Sequence, residues 1–413
     1  MGATCDRERT IRSKNAEACP VVTAVEAVGT AWRVQVVYAL SDGELRFNEL
    51  KRATGARSKT LSDALDALQE HDLVERRTEP AAPIAVCPVG RPTGYRQSTP
   101  GVNIRRERST AVPGTVDGSP VEMDPQEAFQ LFSHELRLEI LLSLWEAPDY
   151  SRTFTGLRED VGERDSGKFT YHLSKVEGQF VAQVDDRYVL QYAGHRVIDA
   201  IRSGVFHESP TVEPVAVDGH CVDCDGGLAF EYADHLATVR CRDCATKAIE
   251  YPFDPGGFHG RELEEAVAAF DTRTKWKWQL ASSGVCFVCA GPVEVAFVRS
   301  AAEIEQLDRY DDYFAADHPA VLELGCRNCS FYSYLPVGVR LLGQPLVAGR
   351  LAERGVDLRE RPLWRLPFFT DAGHVAVERE DPWRVFVEAP TPVGPIEVEL
   401  DDDVRVASVT VRF

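Results

Sequence analysis

The sequence predicts an α+β fold: helical segments that each close on short strands in its first half, and a strand-rich second half held by cysteine knuckles. Three observations predict it. Eight of the eleven cysteines fall into four C-x-x-C pairs beyond residue 220, namely Cys221/Cys224, Cys241/Cys244, Cys286/Cys289 and Cys326/Cys329. Two stretches, from Cys19 to about Gly101 and from Asp124 to about His207, carry apolar residues at helical spacing and then alternate as strands. Between them, residues 104–123 have no periodicity and contain Pro, Gly and Ser, the composition of a domain boundary. A chain of 413 residues has room for about two to four domains, and these breaks divide it into 1–103, a linker at 104–123, then 124–207 and 208–413.

In the first stretch Val21, Val25 and Val28 share one helical face, and Val34, Val36, Val37 and Leu40 fill a second helix. After the turn Asp42-Gly43, the run Arg46-Phe47-Asn48-Glu49-Leu50-Lys51 begins a third. Ser58 is expected to cap a fourth, in which Leu61, Leu65 and Leu68 recur at i, i+4 and i+7. That stripe packs inward, so Lys59, Thr60, Ser62 and Asp63 should face outward. A short helix, a tight turn and a second helix with a polar leading edge is helix-turn-helix geometry, in which the first turns of the second helix enter the major groove of duplex DNA. A plain helical domain with a solvated polar face is the competing reading. Leu73-Val74-Glu75-Arg76-Arg77 then reads as a strand entering a Pro-rich wing.

These residues resemble the HxlR family of winged-helix transcriptional regulators. The likeness is carried by Cys19-Pro20-Val21, Val28-Gly29, Trp32, Gly43, Arg46 to Leu50, Ser58 to Ser62 and Leu73 to Arg76, and covers about a fifth of the chain. The wing departs from the family pattern at Tyr95-Arg96-Gln97-Ser98-Thr99-Pro100-Gly101. The resemblance implies a dimeric DNA binder that inserts the helix from Ser58 to Leu68, with Ser58, Thr60 and Ser62 on the reading face. Arg57, Lys59, Arg91 and Arg96 would contact phosphates or groove edges. Some relatives sense oxidants or electrophiles with the cysteine at the Cys19 position. A helix N-terminus lowers a thiol pKa, and a buried inert thiol is the alternative.

In the second stretch Asp124-Pro125 is an N-cap followed by proline at the first helical position, and Ala128, Leu131 and Phe132 begin an apolar face. A helix from about His134 to Trp145 carries Leu138, Leu141 and Leu142, and Phe154 to Leu157 opens another. Ser166 should cap a helix that turns Phe169, Leu173 and Val176 inward, followed by the strand Tyr188-Val189-Leu190 and a closing helix from Gly194 to Ile201. Leu136 to Leu141, Phe169 to Leu173 and Tyr188 to Leu190 resemble the ArsR-type winged helix. The resemblance implies exposed recognition residues at Lys168, Thr170, Tyr171 and Lys175, with His172 as scaffold.

The cysteines have the arithmetic of two tetrahedral zinc sites. A C-x-x-C turn aims two thiolates at one ion, and a second such turn supplies the other two. Sixteen residues separate the inner cysteines of the first quartet, a ribbon spacing, and thirty-six separate those of the second, which requires an insertion near 301–318. Redox dithiols compete for any one pair, without a thioredoxin-like context to support them. Gly226 and Gly291 follow the leading knuckles, where such turns often need a positive φ. The runs Leu228–Tyr232 with Ala237–Arg240, and Val293–Val298 with Val321–Leu324, read as two hairpins of one plan, separated by a helix from about Gly260 to Phe270. His220, His235, His259 and His318 are expected at the surface, since four thiolates need no fifth ligand. From Leu346 a helix runs to Arg354, and strands near Trp383–Val387, Ile396–Leu400 and Val404–Phe413 should pack on the ribbons. The zinc is expected to hold small cores that could not fold alone.

The formal net charge is −19, and it is uneven: residues 1–108 carry 17 basic against 14 acidic residues, whereas 208–413 carry 20 against 35. Only the N-terminal segment suits a polyanion. Such acidity fits a salt-rich cytoplasm, and the architecture of an ArsR-like winged helix before paired four-cysteine ribbons is similar to haloarchaeal regulator-like proteins. No apolar run has the length of a membrane span, and the polar start is no secretory signal. Walker, H-E-x-x-H, G-x-S-x-G and dinucleotide motifs are missing, and closed all-cysteine zinc leaves no position for a reacting water, so the sequence argues against an enzyme. The expectation is a cytoplasmic, DNA-binding transcription regulator, α+β, with two winged helix-turn-helix domains followed by a β-rich double zinc-ribbon domain for sensing, dimerisation or protein contact. Its partners would be double-stranded DNA, a second copy or an internal pairing of the two winged helices, and the transcription machinery, with no membrane. A scaffold that binds protein partners such as RNA polymerase is the alternative, favoured by the acidity beyond residue 108.

Overall fold

The computed structural model describes residues 31–40, 45–70, 74–77, 85–88, 131–132, 134–299 and 318–412. The helical face of Val21, Val25 and Val28, Cys19, Arg91, Arg96, the linker, the Asp124-Pro125 cap and nearly all of the acidic insertion lie outside the described residues. The chain divides into two compact units, one of Met1–Val36, Ala56–His71 and Pro120–Ile201, the other of Val37–Gly55, Asp72–Ser119 and Arg202–Phe413.

The first elements in chain order are α1 (Ala31–Leu40), β1 (Leu45–Arg46), α2 (Phe47–Thr54), α3 (Ser58–Glu70), β2 (Val74–Arg77) and β3 (Ala85–Pro88). Helix α2 is started by the Glu49 carboxylate, which accepts the Arg46 N–H at 2.8 Å, and ended by Gly55 at φ 68°. Only a residue without a Cβ reaches that conformation at no cost, so the chain turns there after a single short helix. In α3 the buried residues are Leu61, Ala64, Leu65 and Leu68, the stripe read from the sequence. Ser58 is not its cap. The Leu61 N–H donates to the Arg57 carbonyl at 2.9 Å, which puts Arg57 at the cap position and Ser58 in the first turn. Strand β3 lies between β1 and β2 in an antiparallel sheet.

Next come α4 (Glu135–Glu146), β4 (Ser151–Thr153), α5 (Phe154–Asp160), α6 (Ser166–Val176), β5 (Val181–Val184), β6 (Arg187–Leu190) and α7 (Tyr192–Arg202). Strand β6 pairs with both β4 and β5. Ile140, Leu144, Leu157, Phe169, Val176 and Ile198 meet in one core. The cap of α6 is Asp165 and not Ser166: its carboxylate accepts from Gly167 N–H (2.8 Å) and Lys168 N–H (3.1 Å). A carboxylate satisfies two orphan donors and complements the positive helix end, which a hydroxyl one residue later does less well.

The C-terminal region is β-rich. Strands β7 (Val212–His220), β8 (Gly227–Ala233), β9 (Leu236–Cys241) and β10 (Lys247–Pro252) form one sheet in the order β10-β9-β8-β7. Helix α8 (Leu263–Ser282) follows, then β11 (Val293–Arg299), β12 (Ala320–Cys326) and β13 (Tyr332–Pro336) as a second sheet. Short helices α9 (Val339–Leu342), α10 (Pro345–Ala352) and α11 (Pro367–Thr370) lead to a meander of β14 (Val375–Glu380), β15 (Trp383–Ala389), β16 (Ile396–Leu400) and β17 (Val406–Val411). Helix α8 has 20 residues, far more than the sequence suggested. Its buried face includes Thr274 and the ion pair Asp271–Lys275 (2.6 Å, both carboxylate and ammonium nearly inaccessible), so hydrophobicity alone hides its second half. All three sheets contribute to a single core that takes in Phe230, Phe270, Trp278, Leu324, Phe369 and Val387. The expectation of small ribbon cores is therefore corrected, while that of tail strands packed on the ribbons is met: the strands of the tail and both cysteine-bearing hairpins share one interior.

Candidate functional site

The eight paired cysteines gather into two clusters, Cys221/Cys224/Cys241/Cys244 and Cys286/Cys289/Cys326/Cys329, each with all its sulfurs within 4.8 Å of one another. In the first, Cys221–Cys244, Cys224–Cys241 and Cys224–Cys244 are 3.5, 3.5 and 3.4 Å apart; in the second, Cys286–Cys329 and Cys289–Cys326 are 3.6 and 3.5 Å apart. Disulfide sulfurs stand about 2.05 Å apart. A tetrahedron with zinc–sulfur bonds of about 2.3 Å has edges of about 3.8 Å, close to the observed spacings. The donor set and its geometry are compatible with zinc.

The two clusters are built alike. In the leading knuckles Cys221 N–H donates to Gly226 O (2.8 Å) and Cys286 N–H to Gly291 O (2.9 Å). In the trailing ones Cys241 N–H donates to Thr246 O (2.8 Å) and Cys326 N–H to Phe331 O (2.9 Å). One bond joins the knuckles of each cluster, Arg242 N–H to Gly227 O (3.0 Å) and Arg327 N–H to Pro292 O (3.1 Å). Registers agree too: Leu228 faces Cys241 as Val293 faces Cys326, and Arg240 faces Lys247 as Gly325 faces Tyr332. The first cysteine of every knuckle is buried in the core, while Cys224, Cys244 and Cys289 are exposed and Cys329 is half-buried.

The glycines do not act as the sequence suggested. The left-handed residues are Asp225 (φ 59°), Ala245 (φ 62°) and Ala290 (φ 59°), each before the expected position or without a glycine after it. What Gly226 and Gly291 provide is room. A Cβ on Gly226 would lie 2.3 Å from Asp243 Oδ2 and 3.0 Å from Cys241 Sγ, and one on Gly291 within 2.6–2.9 Å of the Asn328 side chain. Each glycine lets the second knuckle close against the first, a contact between residues far apart in sequence that the local motif does not reveal.

As thiols the sulfurs compete for protons. Cys244 is drawn down to about 6, chiefly by its hydrogen bonding with the Thr246 side chain and backbone, while burial pushes the Cys221 thiol up. A divalent cation removes that competition by favouring four thiolates at once. Backbone N–H groups already aim at the sulfurs: Asp243 at Cys241 Sγ (3.4 Å), Val288 at Cys286 Sγ (3.4 Å) and Asn328 at Cys326 Sγ (3.3 Å). No histidine belongs to either cluster. His220 and His259 are exposed and His235 is half-buried, but His318, expected at the surface, is buried at the head of β12.

Of the residues singled out for DNA, Arg57, Ser58 and Lys59 are exposed at the start of α3, and Thr60 and Ser62 are half-buried beside them. Lys168, Thr170, Tyr171 and Lys175 are exposed on α6. The α6 groups are already engaged: Lys168 Nζ pairs with Glu163 at 2.8 Å, Thr170 Oγ1 donates to Ser166 O at 2.7 Å, and the Lys175 ammonium lies 5.4 Å from the Tyr171 ring centre. The Glu163 hydrogen bond and charge hold the Lys168 ammonium above its usual range. His172 is buried, with its ring centre 3.8 Å from that of His134, and its Nδ1 accepts from Arg137 Nε at 3.3 Å. Burial first, then the neighbouring His134 and Arg137, lower its pKa to about 4, which suits a neutral structural histidine.

A family model described as an HxlR-like helix-turn-helix matches residues 27–90. The chain thus carries an HxlR-like helix-turn-helix domain. Domains of unknown function match residues 125–201 (DUF7347) and 218–406 (DUF7351). No curated protein and no solved structure matches the chain. The HxlR-like domain contains α1 to α3 and β1 to β3, and points to a DNA-binding transcription regulator. Among the described residues no helix is long and apolar enough to cross a membrane.

Proposed function

We propose that the protein is a transcription regulator that reads duplex DNA by placing the first turns of α3 in the major groove. The observation that carries this is the two-sided character of α3: Leu61, Ala64, Leu65 and Leu68 buried, and Arg57, Ser58 and Lys59 exposed at its N-terminal edge, within an HxlR-like match. Arg57 and Lys59 contact phosphates, and Ser58, Thr60 and Ser62 lie against base edges or sugar. Arg91 and Arg96 would extend the contact along the wing. Residues 124–207 form a second, ArsR-like winged helix in this reading, supported by the order helix, strand, helix, helix, hairpin and by the three-stranded sheet β4-β6-β5. Zinc fills both cysteine clusters as a structural ion, since four thiolates close its coordination. The zinc-bearing region serves sensing, pairing of two copies or protein contact, and Cys19 is the candidate redox sensor.

Gel-shift titration across salt tests the first claim. Substituting both Arg57 and Lys59 by Ala should lower affinity and reduce the slope of log K against log salt by about 1.8, at about 0.9 per phosphate lost. An unchanged slope would remove α3 as the reading helix. One observation favours protein contact for the second module: Asp165 and Glu163 occupy the N-terminus of α6, where a phosphate would otherwise bind, and Glu163 holds Lys168. A pull-down that keeps RNA polymerase after nuclease treatment, with no selective DNA enrichment, would decide for an adaptor.

A further inference from the structure

We infer that a cleft on the segment from Ala352 to Arg365 binds a small zwitterion of the α-amino-acid kind. The cleft is open to solvent, has a volume of about 400 Å³ and is lined by Asp357, Glu360, Arg361 and Arg365, of which Arg361 is half-buried and the others exposed, together with Ala352, Gly355 and Pro362. That volume lies within the range of small-molecule sites, about 300–1,000 Å³. Two acidic and two basic residues line the same space, so the lining is neutral overall.

The charges are not consumed by one another. Arg365 pairs with Asp218, and one oxygen of Asp357 accepts the Arg359 N–H at 2.8 Å. Among the described residues, the Glu360 carboxylate and the Arg361 guanidinium have neither an ion-pair nor a hydrogen-bond partner, although they are adjacent in sequence and line one cleft. A free anion in this cleft would meet two carboxylates, and a free cation two guanidiniums. A ligand bearing both signs satisfies each side: Arg361 presents paired donors to its carboxylate, and Glu360 accepts from its ammonium.

The wall of the cleft is fixed from behind. Lys275 Nζ donates to the Arg361 carbonyl at 2.7 Å, and the Leu363 N–H donates to Asp271 Oδ1 at 2.7 Å, so the buried pair of α8 clamps the backbone on both sides of Pro362. Trp364 Nε1 donates to Asp218 O at 2.9 Å, and Arg361 N–H to Asp357 O at 3.0 Å. A buried ion pair contributes little net stability compared with an apolar pair, so its use here is positional, to hold a binding wall in shape before the ligand arrives. As the effector site of a regulator the cleft rests on the function proposed above; as a binding site it does not.

Calorimetric titration of the full chain with the twenty common L-amino acids, their amides, their N-acetyl derivatives and inorganic phosphate tests the proposal. At least one free amino acid should bind one to one, and blocking either of its charges should weaken it by about tenfold or more. Arg361→Gln and Glu360→Gln, each checked for an unchanged melting temperature, should weaken the same ligand by about tenfold to a hundredfold. No binding by any amino acid, equal binding of phosphate or an N-acetyl derivative, or indifference to both substitutions would overturn it. A bound amino acid that leaves DNA affinity unchanged would remove the effector role and keep the site.

Discussion

Replacing Gly291 by Ala isolates the close approach of two knuckles from every other property of the cluster. Gly291 does not have a positive φ, so an Ala there strains no backbone, and the effect is steric. The new Cβ would lie 2.8 Å from Asn328 Cγ and 2.9 Å from Asn328 Cβ, where carbon atoms prefer about 3.5 Å or more. Because Asn328 Cβ is one bond from the backbone, the trailing knuckle must withdraw by about 0.6 Å, several times the roughly 0.2 Å by which metal–ligand distances vary. Overpacking of this kind costs about 1–3 kcal/mol, or roughly five- to 150-fold in zinc affinity. At Gly226 the closest atom is the end of the Asp243 carboxylate, which can swing away, but the contact with Cys241 Sγ at 3.0 Å falls on a sulfur of the cluster and overlaps as much as the carbon contact at Gly291. Gly226→Ala and Gly291→Ala should therefore cost a similar amount, each within that range. A chelating chromophore titrated against the two-zinc protein reads both: Gly291→Ala should release one zinc per chain early and the other at the wild-type concentration. Release of both zincs at wild-type chelator levels would refute the argument that these glycines let the knuckles close.

Metal analysis of the purified chain should return two zinc ions, and one for a Cys241→Ser variant whose second cluster is intact. Lys275→Met should destabilise the C-terminal unit by about 3–5 kcal/mol, since it strands the buried Asp271 carboxylate, which burial already makes harder to ionise. Calorimetry should show only part of that loss restored in Asp271→Leu/Lys275→Met, because the Leu363 N–H and the Arg361 carbonyl lose their partners. His172 is held down to about 4 in the fold, chiefly by burial, while the unfolded chain protonates near 6.5. Its contribution to stability is thus complete above about pH 6.5 and is lost as the pH falls toward 4. His172→Gln, which keeps an acceptor for Arg137, should flatten that part of a melting-temperature profile, and an unchanged profile would exclude His172 as its source.

What the sequence discloses is what repeats over short distances. The stripe of Leu61, Leu65 and Leu68 repeats every helical turn, and the burial of all three in α3 follows from it. Four C-x-x-C pairs reveal two four-cysteine clusters because one turn fixes the geometry of each pair, and the pairing of Leu228 with Cys241 follows once the hairpin is drawn. Long-range packing is not legible in this way. The second half of α8 is hidden because Asp271 and Lys275 pair with each other in the interior and so look like surface residues in a sequence. The purpose of Gly226 and Gly291 depends on Asp243 and Asn328, which belong to the other knuckle. Asp165 and Ser166 are adjacent residues of cap type, and only the bonds from Gly167 and Lys168 N–H show that the carboxylate is the cap.

The common interior of the C-terminal unit changes what removal of zinc should do. Small zinc modules unfold without their ion because the metal replaces a core they are too short to build. Here Cys221, Cys241, Cys286 and Cys326 are at the margin of a core that continues through Phe270, Trp278 and Phe369 to Val385, Val387 and Val398 in β15 and β16. Several of those apolar residues are packed on other rings: Phe270 against Phe230 and Phe253, and Trp278 against Tyr251 and Phe369. Chelation should therefore loosen the four knuckles, whose exposed cysteines are already at the surface, and leave α8 and the β14–β17 meander folded. Hydrogen exchange resolved by peptide distinguishes the two outcomes: protection should fall around residues 221–226, 241–246, 286–291 and 326–331 and persist in 263–282 and 383–400. Loss of protection throughout the unit on chelation would mean that the metals, and not the shared apolar interior, hold it together.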